Sequence, residues 1–312
     1  MEWEKKKVQF KFRLGEFNLF NMDLSAFVCN SYFTDIRQED STQIVREFLS
    51  RSEVHGAIIR SCPVRKDLPL IRLERGYIQY APYHYERYFV DIEGSFDEYL
   101  KKFRHKSRST RLRQAKKFKE FSGGKIEWKE YRYPDEIETF YQFARGISET
   151  TYQERLVGCA LPKDEAFRKD LRNLAETDSI RGYVLFHKEI PIAYLMSSII
   201  KDSTMLLRYI GFNPTYKQYS PGTILQYLVL QRLFSEGKMR VFDFTEGEGQ
   251  YKKYFSNNSK RCADIYFFKL SLSNILIIIV HSSLARISRF IVKILDILKL
   301  KSRIKKAIRS HA

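Results

Sequence analysis

The residues best suited to chemistry cluster in the run FDFTEGEGQYKKYF, residues 242–255, where two carboxylates, Glu246 and Glu248, alternate with glycines. The run begins in a short apolar segment that reads as a buried strand. In open sheets, ligands favour the crevice outside strand ends. Either carboxylate suits a general base, and Tyr251 suits a general acid. Lys252 suits pairing with a carboxylate or polarising a carbonyl. The competing reading is a solvated acidic turn that carries its own lysine counter-charges, and the residues alone leave the two readings open.

A second candidate lies just upstream. Tyr219-Ser220-Pro221-Gly222-Thr223 opens a strongly apolar helix, with Ser220 placed as N-cap and Pro221 at the first helical position. A helix N-terminus points free amides and the positive dipole end outward, so it can hold an anion. Gly222 lets a phosphate approach without a Cβ in the way, and Thr223 adds a hydroxyl. The alternative is that these residues simply cap a helix.

Period-two alternation predicts a strand at Val8–Leu14, and apolar runs predict strands at Val54–Ser61, Leu70–Glu74, Tyr77–Ala81 and Tyr88–Ile92. A short helix is expected at Ser41–Ser50. Ser95 and Glu98 form a capping-box signature at a helix start. In that helix Lys101, Arg104, Arg108 and Arg111 recur at the spacing of one face, and Gly123-Gly124 stops it. Helices follow at Pro134–Glu149 and Lys163–Glu176. Strands at Gly182–His187, Ile190–Ile200 and Thr204–Phe212 form an antiparallel meander. After the Ser-Pro-Gly helix come a strand at Val241–Phe244, a short helix at Gln250–Phe255 and a last strand at Ala263–Leu270.

Composition narrows the class. A chain of 312 residues with 44% hydrophobic and 15% aromatic content can bury a large core, which excludes global disorder. Four scattered cysteines favour a reduced, cytosolic setting, and the histidines show no metal-ligand spacing, so no metal is expected. The opening MEWEKKKVQFKFRLGEF has no apolar core of a secretory signal, and no run reaches the length of a spanning helix. The formal net charge is +18, and two segments carry all of it. Lys101–Lys119 holds ten basic residues and no acid, and His281–Ala312 holds nine and one acid.

The runs GYVLFHKEIPIAYLMSSII, LLRYIGFNPTYKQYSPGTILQYLVLQRL and FDFTEGEGQYKKYF together resemble acetyltransferases of the Gcn5-related (GNAT) superfamily. They are most similar to the branch typified by CelD-like cellulose-biosynthesis proteins, which is related to the Fem peptidyltransferases. The strand ending "pIA", the "Y-x-G-F" strand exit, the "SPG" helix start and the "DF…G…YK…F" segment occur in the branch's order, over roughly residues 88–256. The resemblance implies an α+β GNAT fold with two GNAT-like units in pseudo-tandem, the first degenerate, and the apolar spacing of the tail adds a C-terminal amphipathic helix. It divides the chain into residues 1–94, 95–270 and 271–312.

It further implies an acetyl-CoA or other acyl-CoA co-substrate. The pyrophosphate would sit on the amides of Ser220, Gly222 and Thr223, and the pantetheine arm along Arg208, Tyr209 and Ile210 of a splayed strand. One proline and a single glycine replace the glycine-richer loop of the wider superfamily, which leaves an aminoacyl-tRNA, as in the Fem relatives, as the alternative donor. The implied reaction is N- or O-acyl transfer to a glycan, sugar-nucleotide or lipid-linked precursor in envelope polysaccharide synthesis. Glu246 or Glu248 would be the base, Tyr251 the acid and Lys252 a positioning group. A non-catalytic membrane-associated scaffold with a vestigial fold is the third reading.

Three readings compete for Lys101–Lys119: a solvated helix face, a surface for an anionic acceptor or lipid, and a tRNA-binding surface. Only Phe103 and Phe118 interleave with the charges, too few for a base-stacking platform. Nucleic acid is otherwise not expected as a partner. In the tail, Leu284, Ile287, Ile291, Ile294, Leu295 and Leu298 share one helical face, nearly opposite Arg286, Arg289 and Lys293. Lys299, Lys301, Arg303, Lys305, Lys306 and Arg309 follow. That pattern suits an anionic membrane surface, where each basic residue is worth about 1 kcal/mol. The expected location is cytoplasmic, peripheral on the inner face of the membrane.

Overall fold

The structure is a computed structural model that describes residues 3–14, 17–30, 45, 47, 50, 54–74, 76–150, 161–201, 203–247 and 249–297. In chain order the elements are β1 (Trp3–Leu14), β2 (Phe17–Asn30), β3 (Gly56–Pro63), β4 (Ile71–Glu74), β5 (Tyr77–Asp91), α1 (Phe96–Lys101), α2 (His105–Phe121), β6 (Glu127–Tyr131), α3 (Pro134–Glu149) and α4 (Glu165–Glu176). There follow β7 (Ile180–His187), β8 (Ile190–Ile200), β9 (Thr204–Phe212), a 3-10 turn (Pro214–Tyr219), α5 (Pro221–Glu236), β10 (Val241–Asp243), α6 (Gln250–Phe255), β11 (Asn258–Lys269) and α7 (Leu272–Ile297). They divide into two units, Met1–Glu86 with Lys260–Ala312, and Arg87–Ser259. The linear sequence division had kept residues 1–94, 95–270 and 271–312 apart. In space, most of β11 and all of α7 return to the first unit.

In the second unit the strand order is β5-β10-β9-β8-β7-β6, with β5 contributing residues 87–91. Period-two alternation assigns the faces. Leu195 of β8 joins Leu185, Leu207, Ile224, Leu225, Val229 and Phe242 in the core beneath α5. Its neighbours Tyr194 and Met196 join Ile137, Phe140, Ala144 and Leu171 beneath α3 and α4. Helices therefore cover both faces. The strand β9 and the helix α5 lead to β10, which lies parallel to β9. Gly211 of β9 has a packing reason: a Cβ there would lie 2.5 Å from the Tyr194 ring.

In the first unit β1 and β2 form a hairpin, β2 runs parallel to β3, and β3 pairs antiparallel with β11. The core joins Phe10, Phe12, Leu24, Ile58, Tyr80 and Tyr266 to Ile277 and Ile278 of α7. The predicted strands Tyr77–Ala81 and Tyr88–Ile92 are one strand, β5. The strand runs unbroken through Pro82. The long strand β2 and the edge strand β6 had no predicted counterpart. The predicted helix Ser41–Ser50 lies largely outside the described residues, where Val45, Glu47 and Ser50 are helical.

His281 of α7 is buried between two tyrosines. Its Nδ1 lies 2.6 Å from the Tyr80 hydroxyl and its Nε2 3.0 Å from that of Tyr83. Burial pushes its pKa from 6.5 down to about 4. A base with a lowered folded pKa binds its proton first in the unfolded chain, so stability falls as the pH drops from 6.5 towards 4. Urea denaturation followed at a series of pH values is expected to show that decline, and His281→Gln to flatten it.

Candidate active site

The central feature is a divergence of two parallel strands. The β9–β10 ladder consists of Val241↔Thr204, Phe242↔Met205 and Asp243↔Leu206. Beyond it β9 runs on to Phe212, while the chain leaving β10 turns away through the left-handed residues Thr245 (φ 60°) and Gly247 (φ 90°). The register with β8 also slips, from Met196↔Tyr209 to Ser197↔Leu207, so Arg208 is a bulge residue. Arg208 is exposed, and Tyr209 and Ile210 are half-buried. All three lie on the stretch of β9 that β10 no longer covers.

The exit of β10 is held by an ion pair that sequence reasoning missed. Asp243 is fully buried and accepts from Arg87 Nε at 2.9 Å and Nη2 at 2.5 Å. Its other oxygen accepts the Thr245 N–H at 2.8 Å. Thr245 Oγ1 in turn donates to the Leu207 carbonyl at 3.2 Å, tying the loop to β9 where the strands part. An aspartate between two phenylalanines in a buried strand was the available signal, because a buried carboxylate needs a cation.

Of the four predicted catalytic residues, the structure describes three. Lys252 is buried on α6 and donates to the carbonyls of Glu246 at 2.6 Å and Thr245 at 3.4 Å. Burial pushes its pKa from 10.5 down to about 8, against the opposing pull of Asp243 and Glu246. It therefore fastens α6 to the loop after β10. Tyr251 is 40% exposed, meets Phe244 edge-on, and burial raises its phenol above the ordinary range, so it keeps its proton at neutral pH. Glu246 is exposed on the same loop. Glu248 lies outside the described residues.

At α5, Ser220 stands at the N-cap and Pro221 in the first turn, as expected, but the serine hydroxyl caps nothing. Ser220 sits in the left-handed region (φ 52°), whereas a capping side chain needs an extended N-cap. Its N–H is occupied by the Lys217 carbonyl at 3.0 Å. The amides of Gly222 and Thr223 belong to the first turn, whose donors a helix cannot satisfy internally. The open side of Gly222 faces the Phe212 ring, which a Cβ would meet at 3.4 Å.

The basic helix requires a correction. Lys101, Arg104, Arg108 and Arg111 do not share one helix face, because the chain breaks between α1 and α2 with Arg104 extended at the α2 N-cap. Arg111 is buried: its guanidinium lies 3.9 Å from the Phe103 ring centroid and 4.0 Å from that of Tyr254. It donates to the Ser107 hydroxyl at 2.8 Å and to the Tyr254 carbonyl. Arg111 thus clamps α2 onto α6, two residues from Lys252. Replacing it with alanine removes a desolvated cation–π sandwich and a charged hydrogen bond, an expected loss of about 2–3 kcal/mol in thermal or urea unfolding. Lys117 of the same helix reaches the Gln218 carbonyl at 3.2 Å, immediately before the α5 turn, and Phe121 stacks on Tyr219 at 3.6 Å.

Comparison with known proteins bears on the fold. Residues 105–253, wholly within the second unit, match the family described as "Acetyltransferase (GNAT) domain". No curated protein matches the sequence. Among solved structures, the chain is similar to FemX (TM-score 0.53, 12% identity, 86% of this chain and 88% of that one). It is similar to a conserved protein of unknown function from Bacteroides thetaiotaomicron (TM-score 0.53, 12% identity, 86% and 85%). It is also similar to the C-terminal domain of a putative lysylphosphatidylglycerol synthetase from Agrobacterium fabrum (TM-score 0.50, 12% identity, 78% and 77%). The chain has a GNAT-like fold, and its segment 105–253 matches the GNAT acetyltransferase domain model.

Proposed function

We propose that the second unit transfers an acyl group from acyl-CoA, acetyl-CoA in the simplest case, to an amine or hydroxyl acceptor. The parting of β9 from β10 beyond Asp243↔Leu206 carries this reading. It leaves a strand edge at Arg208, Tyr209 and Ile210 beside which a pantetheine arm fits, with the α5 first turn at Gly222 and Thr223 suited to its pyrophosphate. Glu246 or Glu248 takes the acceptor proton, the acceptor attacks the thioester, an amide of β9 steadies the oxyanion, and Tyr251 protonates the leaving thiolate. The resemblance to the CelD-like branch points to a glycan, sugar-nucleotide or lipid-linked acceptor in envelope polysaccharide synthesis.

Titration calorimetry with acetyl-CoA tests the donor. Saturable binding that free CoA competes away is expected, and no heat at millimolar donor would refute it. A second reading takes an aminoacyl-tRNA donor. It is supported by the likeness to FemX, which extends over both units, and by the exposed lysines of α2 near the α5 turn. Transfer abolished by RNase would establish that reading instead.

A further inference from the structure

The helix α7 has two apolar sides, and the first unit uses only one of them. Asn274, Ile277, Ile278, His281 and Ser282 are buried against the sheet. His281 packs on Phe10 at 4.5 Å, and Asn274 Nδ2 donates to the Lys269 carbonyl at 2.9 Å, so the inward side is fixed. On the outward side, Leu272 is 87% exposed, Leu276 62%, Ile279 53% and Phe290 66%. Their spacing of i, i+4, i+7 and i+18 aligns them in one stripe along the helix, with Ile287 exposed at its border. Scattered exposed apolar residues are ordinary, but four large ones aligned along one helix side, with Ser283 between Ile279 and Phe290, mark a contact surface.

This stripe differs from the face the tail periodicity suggested. Leu284 of that predicted face is half-buried and packs towards the core of the first unit. The outward side instead starts at Leu272, ahead of the basic run. Among the described residues no helix is long and apolar enough to cross a membrane, so the stripe has no spanning role there.

The charge pattern identifies the occupant. Arg286 is exposed beside the stripe, and from His281 to Ala312 the sequence carries nine basic residues against the single acid Asp296. A protein partner or a second copy of this chain would need either a neutral apolar counter-face or a matching acidic one. A second copy offers the same positive segment and repels it. An anionic bilayer supplies both requirements at once: acyl chains for the stripe and lipid phosphates for the arginines and lysines. We propose that the outward stripe of α7, Leu272, Leu276, Ile279 and Phe290, inserts into the interface of an anionic membrane, with Arg286 beside it on the headgroups.

The test uses the full chain and sedimentation with vesicles of phosphatidylcholine alone or with about one third phosphatidylglycerol. The native chain is expected to pellet with the anionic vesicles at low salt, and far less with the neutral ones. Leu276→Gln/Ile279→Gln, two exposed positions whose replacement leaves the inward side intact, is expected to reduce binding at least tenfold with an unchanged circular-dichroism melt. Equal binding to neutral vesicles, or a double variant that binds as well as the native chain, would overturn the proposal. So would light scattering that shows a native dimer which the same substitutions dissociate, since the stripe would then be an interface between copies. The acetyl-CoA titration reads the second unit and is independent of all these outcomes.

Discussion

Replacing Asp243 with alanine is expected to lower the unfolding free energy by about 3–5 kcal/mol, the range for removing one partner of a buried ion pair. The carboxylate is fully buried and Arg87 nearly so. Alanine leaves the guanidinium with no carboxylate at that spot, in a site that water cannot reach. It also frees the Thr245 amide, so the loop after β10 loses its anchor just where β9 and β10 part. Urea denaturation followed by tryptophan fluorescence suits the measurement, because Trp128 lies on β6 of the second unit. Replacing both partners with apolar residues, Arg87→Met with Asp243→Leu, is expected to recover much of the loss, since no charge is then stranded. A loss below about 1 kcal/mol in the single variant would mean that the pair does not hold this loop.

The second large effect is on turnover. Lys252→Met is expected to reduce the acyl transfer proposed above on the order of 100-fold, because it releases the carbonyls of Glu246 and Thr245 and lets the loop and Tyr251 drift from their positions. Stability should move the other way. The buried ammonium has a pKa lowered to about 8, so the folded state gives up this proton more readily than the unfolded chain. Native stability therefore rises with pH between 8 and 10.5, and below pH 8 the charged amine is a standing cost that methionine removes. The variant is thus expected to melt no lower than the native chain at pH 7 while losing activity. In the native chain, the proposed transfer should decline above about pH 8 as the ammonium loses its proton, and Lys252→Met should lack that decline. A variant with native turnover and an unchanged alkaline limb would remove Lys252 from the site.

These two residues show how differently parts of the site could be read. Lys252 was visible as a basic residue behind a glycine-bracketed acidic loop, but its direction was not: it faces the backbone of that loop and not a carboxylate. Asp243 sat in the same quoted run and passed as part of a buried strand. Its partner, Arg87, lies 156 residues away and had no local mark. Arg111 was read as one of four residues on a basic face, because spacing measures the angle around a helix and assumes the helix continues. The break at Arg104 re-aims the following turns, and the rings of Phe103 and Tyr254 receive the guanidinium.

By itself the sequence determined most of the local elements of the second unit and their order. The meander Ile180–Phe212, the Ser-Pro-Gly start of α5 and the short helix Gln250–Phe255 follow from period-two alternation, proline and glycine placement and apolar spacing, all of which act within a few residues. The GNAT resemblance rests on that order too. Tertiary structure alone decided what depends on distant chain segments: the divergence of β9 from β10, the Arg87–Asp243 pair, the return of β11 and α7 to the first unit, and the side of α7 that faces outward. The physical reason is the same in each case. A helix or strand announces its apolar residues locally, but which of them are covered, and which charge finds a partner, is settled by the surface that another element brings to it.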